Sequence, residues 1–293
     1  MAEQHLQWGV EALWQDLEPL LPGMSIEVLA RVESTNTTLL ERVRSGNDSR
    51  FEPNPYGRRA HDLQPCLLVA EHQTHGRGRM GRTWHSSPGA SLTFSLALPL
   101  ALTDWSGLSL AVGCAIADAL EPLDDAAAAP RLQLKWPNDI WLVGDAPGGL
   151  PGRKLGGVLI ETVPAGEQRM AVIGVGLNVS AETPAAETPF PTGFASLSEL
   201  LPGLDAPAVL ARVARPLIEA LLRFPSQGFA GWQAAYARRD LLRGRQISAG
   251  TLEGLAQGVN ARGELLLQPA AGPLQALSGG EVSVRLTATD TAG

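Results

Sequence analysis

Seven residues, Gly76-Arg77-Gly78-Arg79-Met80-Gly81-Arg82, hold three arginines and three glycines. Guanidinium forks suit the paired oxygens of phosphates and carboxylates, and glycine lets a backbone approach a ligand closely. Residue types alone fit a solvated basic turn or a nucleic-acid-binding arginine-glycine segment equally well. The stretch also spells G-x-G-x-x-G through Gly76, Gly78 and Gly81. A dinucleotide fold needs a helix directly after such a loop, so that its N-terminus meets the pyrophosphate. Here Thr83-Trp84-His85-Ser86-Ser87-Pro88-Gly89 and a strand pattern follow, so dinucleotide chemistry is not expected. No G-x-x-x-x-G-K-[ST] occurs, which argues against a P-loop enzyme, and no G-x-S-x-G supports a serine hydrolase.

Three further stretches carry reactive groups. In Lys135-Trp136-Pro137-Asn138-Asp139-Ile140, proline fixes a turn from which Asn and Asp project. An aspartate there can orient a cation, a ribose hydroxyl or an amine, or simply close an Asx turn. In Arg153-Lys154-Leu155-Gly156-Gly157-Val158-Leu159, a lysine precedes a glycine pair. It either points into a pocket floored by backbone or stands on the surface at a strand start. In Ile173-Gly174-Val175-Gly176-Leu177-Asn178-Val179, glycines alternate along a strand and leave a smooth wall for a flat ligand. His72, His75 and His85 have no carboxylate or cysteine at ligand spacing, so they read as solvated or loop histidines and no metal centre is expected.

These groups need a scaffold. The chain has 293 residues, 44% of them hydrophobic, enough for a sizeable core, and a formal net charge of -7. That acidic balance runs against a dedicated DNA-binding protein. Cys66 and Cys114 lie in apolar runs and read as buried, reduced thiols. The N-terminus does not read as a signal peptide and no apolar run reaches membrane-spanning length, so a cytoplasmic location is expected. Helical spacing marks 6–21, a capped start at Ser34-Thr35-Asn36, 108–120, 196–201, 206–224 and 229–238. Strand patterns mark 26–32, 66–70, 91–98, 132–136, 140–143, 158–161 and 170–175. Residues 45–64 and 180–193 read as loops and 144–152 as a hairpin-type loop. After Asp240, short strands between Gly-Asn and Gly-Gly signals predict a small β-barrel, with a domain boundary near residue 240.

In this order, the motifs resemble the catalytic domain of bacterial biotin–protein ligases. That family combines Ser-Thr-Asn, a Gly-Arg-Gly-Arg-x-Gly-Arg loop, Lys-Trp-Pro-Asn-Asp, a Lys-x-x-Gly strand and a Gly-x-Gly-hydrophobic-Asn strand, all found between Ser34 and Asn178. Gly258-Val259-Asn260 and Gly279-Gly280-Glu281-Val282-Ser283 resemble its C-terminal domain. The resemblance implies an α/β (α+β) fold. A class II synthetase-like catalytic domain over 1–239 would carry a mixed sheet with helices on one side, and an SH3-like barrel would fill 240–293. It implies ATP-dependent formation of biotinyl-5'-AMP and transfer of biotin to a lysine of a biotin carboxyl carrier protein. Mg²⁺ is expected with ATP. The protein would act as a monomer or homodimer, without DNA or membrane. The stretch before Ser34 is too short for the winged helix–turn–helix that some members carry, so the resemblance is to the form without it. Lipoate–protein ligases share the chemistry but lack this arginine loop. A biotinyl-adenylate-binding regulator is the other alternative, disfavoured by the acidic balance.

The resemblance also assigns residues. Biotin would meet Ser34, Thr35, Asn36, Gln73, Gly76, Arg77, Lys154, Gly157, Leu159 and Gly174. Hydroxyls and amides suit a ureido ring with two N–H donors and one carbonyl. ATP and the adenylate would meet Arg77, Arg79, Arg82, Trp84, Lys135, Asn138, Asn178 and Arg285, with Trp84 stacked on adenine. Arg79, Lys154 and Asp139 would be catalytic. Met80 departs from the family, which often has an arginine there, and activity is expected to survive because Arg79 makes the main contact.

Overall fold

Alternating residues of the central strands divide between two faces, and each face meets a different helical layer. The computed structural model describes residues 6–46, 64–123, 129–144, 150–165, 168–181, 193–279 and 284–286. The expected 180–193 loop and the 45–64 loop fall almost wholly outside these, as does most of the 144–152 loop. Strands β1 (Ser25–Val32), β2 (Cys66–Gln73), β5 (Ser91–Pro99), β6 (Leu132–Lys135), β7 (Asp139–Val143), β8 (Gly152–Ala165) and β9 (Gln168–Asn178) form a seven-stranded sheet. Its order is β1-β2-β5-β9-β8-β7-β6. Only β1 and β2 pair parallel, so the sheet is mixed as expected.

One face carries the main core. Leu67, Val69, Leu92, Phe94, Leu96, Ile173, Val175 and Leu177 pack there with helices α3 (Leu108–Leu120) and α4 (Ala206–Gln227). Small residues on α3 permit close approach: a Cβ added at Gly113 would come within 3.2 Å of Leu134 Cδ2, tighter than ordinary contact. The Asp205 carboxylate caps α4 by accepting from Ala208 N at 2.9 Å. Helix α1 (Val10–Leu17) joins this side through Leu13 and Leu17 and is shorter than the 6–21 pattern predicts.

The expectation of helices on one side is corrected. Helix α2 (Thr35–Gly46) lies on the opposite face, where Leu39 and Leu40 form a second cluster with Cys66, Leu68, Ala97, Met170 and Val172. The physical reason is visible in β2, whose consecutive residues Cys66 to Ala70 are all apolar. A strand apolar on both faces must be covered on both. Ser34 starts α2 as a cap, its Oγ accepting from Thr37 N at 3.4 Å.

The predicted 196–201 helix reduces to a single 3-10 turn over Leu197–Glu199. The predicted 229–238 helix splits into a 3-10 turn and α5 (Gln233–Arg239). Beyond it, β10 (Gln246–Ala249), β11 (Leu252–Val259), β12 (Leu265–Gln268), β13 (Gln275–Leu277) and β14 (Val284–Leu286) make a five-stranded antiparallel sheet ordered β13-β12-β11-β10-β14. Trp136 anchors it to the large sheet, its buried indole Nε1 donating to Gly263 O at 3.0 Å.

Candidate active site

The site is built on the α2 face, where β8 and β9 carry glycine in place of bulk. Gly157 pairs with Gly176 and Leu159 with Gly174 across the ladder. The wall predicted for a flat ligand is there, but the protein's own groups lie on it. Asn36 packs so closely on Gly174 that a methyl would overlap its amide. The Trp84 indole covers Gly176, where a Cβ would come within 2.5 Å of the ring. Trp84 is placed by a two-residue ribbon in which β3 (Gly76–Arg77) pairs with β4 (Thr83–Trp84). Its Nε1 is buried and has no hydrogen-bond partner among the described residues.

At one end, neutral polar groups form a connected row. Thr35 N donates to Gln73 Oε1 at 2.8 Å, and the Thr35 hydroxyl lies 3.1 Å from the same oxygen. Ser95 Oγ lies 2.6 Å from both Thr35 Oγ1 and Asn36 Oδ1. Asn36 Nδ2 donates to Leu159 O at 3.3 Å and to Glu161 Oε2 at 3.0 Å. Leu159 thus enters the row through its carbonyl, beside any contact its side chain makes. Arg77 closes the row with a two-pronged ion pair to Glu161, at 3.0 and 3.2 Å. Ser34, Thr35, Asn36, Gln73, Gly76, Arg77, Gly157, Leu159 and Gly174 are therefore brought to one face. Motif patterns do not single out Ser95 or Glu161. The signal for Ser95 was the period-two run Ser91, Thr93, Ser95, which puts hydroxyls on the glycine face.

The other end is cationic. The peptide before Pro137 is cis, and the turn sets Asn138 and Asp139 at the head of β7. Lys154 Nζ donates to Asp139 Oδ1 at 2.6 Å and stands 5.9 Å from the Trp84 ring centre. Arg79 donates to Asn138 Oδ1 at 3.2 Å and to the carbonyl of Gly279. Burial lowers the Arg79 guanidinium from its ordinary value, against the opposing pull of the Asp139 charge. Lys135, enclosed over the Trp141 ring, donates to Val284 O at 2.7 Å. Burial lowers its ammonium too, with Asp139 again opposing and the Lys154 and Arg82 charges adding to the shift. Three cations, Arg79, Lys135 and Lys154, thus act on one carboxylate, Asp139, which suits a polyanion.

Other expected residues stand further out. Arg82 is exposed on the ribbon loop. Asn178 donates to Ala195 O at 3.2 Å at the end of β9. Arg285 is exposed on β14, next to the residue whose carbonyl meets Lys135. Met80 has φ +56°, the left-handed region, and its side chain is exposed, whereas the neighbouring Arg79 reaches Asn138. His72 is not a solvated loop residue but lies in β2 with a buried Nδ1, while His75 meets Thr74 Oγ1 at 3.0 Å. Among the described residues, no group of three or more His, Cys, Asp or Glu could hold a metal ion.

Residues 59–178 match the biotin/lipoate A/B protein ligase family, and residues 243–285 match the biotin protein ligase C-terminal domain. The bifunctional ligase/repressor BirA of Escherichia coli is 32% identical over 275 residues, covering 90% of this chain and 75% of that protein. A biotin–[acetyl-CoA-carboxylase] ligase of Mycobacterium tuberculosis is 31% identical over 252 residues, covering 83% of this chain and 82% of that one. The biotin protein ligase of Aquifex aeolicus, solved with biotin and ATP, superposes with a TM-score of 0.64 at 26% identity, covering 90% of this chain and 99% of its own. Two matched domains and relatives aligned over most of their length lead to one assignment: this chain belongs to the biotin protein ligase family.

Proposed function

We propose that this chain is an ATP-dependent biotin–protein ligase acting on a biotin carboxyl carrier protein. The observation that supports it most is one sheet face that carries the neutral row at Gln73, Thr35 and Asn36 and, beyond it, the cations Arg79, Lys135 and Lys154. A ureido ring fits the first end and a triphosphate the second, with the biotin carboxylate between them near Arg77. A carboxylate oxygen then forms a bond to the α-phosphorus, and pyrophosphate leaves. Two unit charges ~4 Å apart repel by about 4 kcal/mol at an effective dielectric near 20, which is what the cations offset. The carrier lysine's amine attacks the acyl carbon, and AMP leaves. Asp139 orients that amine or takes its proton, once Lys154 has turned to the phosphate.

Mg²⁺ fits this site only as a companion of the nucleotide. Asp139 would be the carboxylate to hold it, since magnesium commonly takes one or two carboxylates plus substrate phosphates. Bound there, it would supply further charge neutralisation at the phosphates. The chemistry requires neither DNA nor a membrane, and is compatible with a monomer or a homodimer. Among the described residues no helix is long and apolar enough to cross a membrane. We place the boundary between catalytic and C-terminal domains at 239/240, where α5 ends.

Incubation with ATP, Mg²⁺ and biotin, followed by mass analysis, should yield biotinyl-5'-AMP; lipoyl-adenylate from a parallel lipoate reaction, with none from biotin, would overturn the assignment. The nucleotide end has its own test. Gly176→Ala drives a methyl into the Trp84 ring, so the seat for adenine is lost. Aromatic stacking on a base is worth about 1–3 kcal/mol, so KM for ATP should rise on the order of 10-fold while biotin affinity, read by calorimetry, stays put.

A further inference from the structure

We infer that Glu161 is a positioning residue that competes with the substrate: its carboxylate holds the Arg77 fork in the place a substrate carboxylate will take, and yields it on binding. This rests on the ligase reading above. The Glu161 oxygens accept from Arg77 Nη1 and Nη2 at 3.2 and 3.0 Å, the two-pronged geometry an arginine offers any carboxylate. Asn36 Nδ2 reaches the same Oε2 at 3.0 Å. Glu161 therefore has a second hold, on α2, and stays anchored when Arg77 leaves. Among the described residues Arg77 has one other partner, Thr37 Oγ1 at 3.5 Å, and its side chain is 46% exposed, so it has room to swing. Without an internal acid, a bare guanidinium at this point would accept any small anion. With one, an incoming carboxylate must displace the resident acid, so its attraction to Arg77 is partly cancelled and the advantage of biotin over an uncharged analogue is smaller.

A merely structural role is the competing account, in which Glu161 only fixes the Asn36 amide. The two differ in what they do to ligand charge. Biotin and biotinamide share the ring system and chain, but only biotin brings a carboxylate. Glu161→Gln keeps an acceptor for Asn36 and removes the competing charge. The ratio of biotinamide Kd to biotin Kd, by titration calorimetry, should rise roughly three- to fivefold, the scale of a partly exposed ion pair. In an Arg77→Ala background the same substitution should leave the ratio unchanged. An unchanged or lower ratio in Glu161→Gln, with Arg77 intact, overturns the inference even if both ligands bind more weakly. If the unaltered protein binds neither ligand, the ligase reading fails first, and the inference falls with it.

Discussion

Lys154→Met should slow adenylate formation by on the order of 10²–10³-fold, the cost of deleting one charge-stabilising donor. The ammonium stands 2.6 Å from Asp139 and beside the indole over Gly176, at the meeting point of the neutral and cationic ends. Its removal takes a positive charge from where two anions must join and leaves the Asp139 carboxylate facing them unpaired. Both partners are partly exposed, at 29% and 19%, so the fold should lose little. Single-turnover assay of biotinyl-AMP synthesis reads the effect. Lys154→Met with Asp139→Asn tests the cause: the unpaired acid is gone, and the rate should remain low because the missing cation is the defect. Adding Arg79→Gln to Lys154→Met should abolish measurable synthesis. Labelling of the carrier at the normal rate by that pair would mean the groove does not make the anhydride.

Arg239→Ala should cost about 2–4 kcal/mol of stability, from the cavity left by a fully buried side chain and the buried carbonyls left without a donor. Its side chain is fully buried. It donates to Asp118 Oδ1 at 2.8 Å, Glu121 Oε2 at 3.2 Å, Leu132 O at 2.8 Å and the Glu121 carbonyl. Glu121 in turn accepts from Arg131 N at 3.0 Å and Leu132 N at 2.8 Å. One guanidinium therefore ties the end of α3, the start of β6 and the end of α5. Lysine cannot spread its donors over four acceptors in one plane, so Arg239→Lys should recover only a small part. Denaturant unfolding checks both variants; a loss below about 1 kcal/mol in the alanine variant would show that water readily replaces the network.

Much of this architecture is legible in the chain. The β5 run Ser91-Leu92-Thr93-Phe94-Ser95-Leu96 announces its two faces by alternation, and α3 falls at 108–120 as its apolar run predicts. The arginine loop, Lys154, Asn138 and Asp139 meet because sharp turns and glycine strands are written in residue type. The position of α2 is not legible: apolar residues on both faces of β2 require two layers but do not say which helix supplies each. Glu161 is hidden because a lone acid in a strand reads as solvent-facing. Arg239 is hidden because a cation at a helix end reads as a dipole partner in water. The contacts of Arg79 and Lys135 with Gly279 and Val284 are hidden for another reason. Their acceptors are main-chain oxygens, which carry no letter of their own.

Those two acceptors set a peculiar rule for how the tail of the chain can drift. A carbonyl offers the same oxygen whichever amino acid bears it, so these hydrogen bonds place no demand on spelling; only the burial of Val284 and the tight fit of Gly279 against Pro137 do. Counting matters more: one residue gained or lost shifts a strand by about 3.3 Å and turns each oxygen to the other side. Over generations, then, β14 should tolerate a similar apolar residue at Val284 far more readily than an insertion or deletion within the strand.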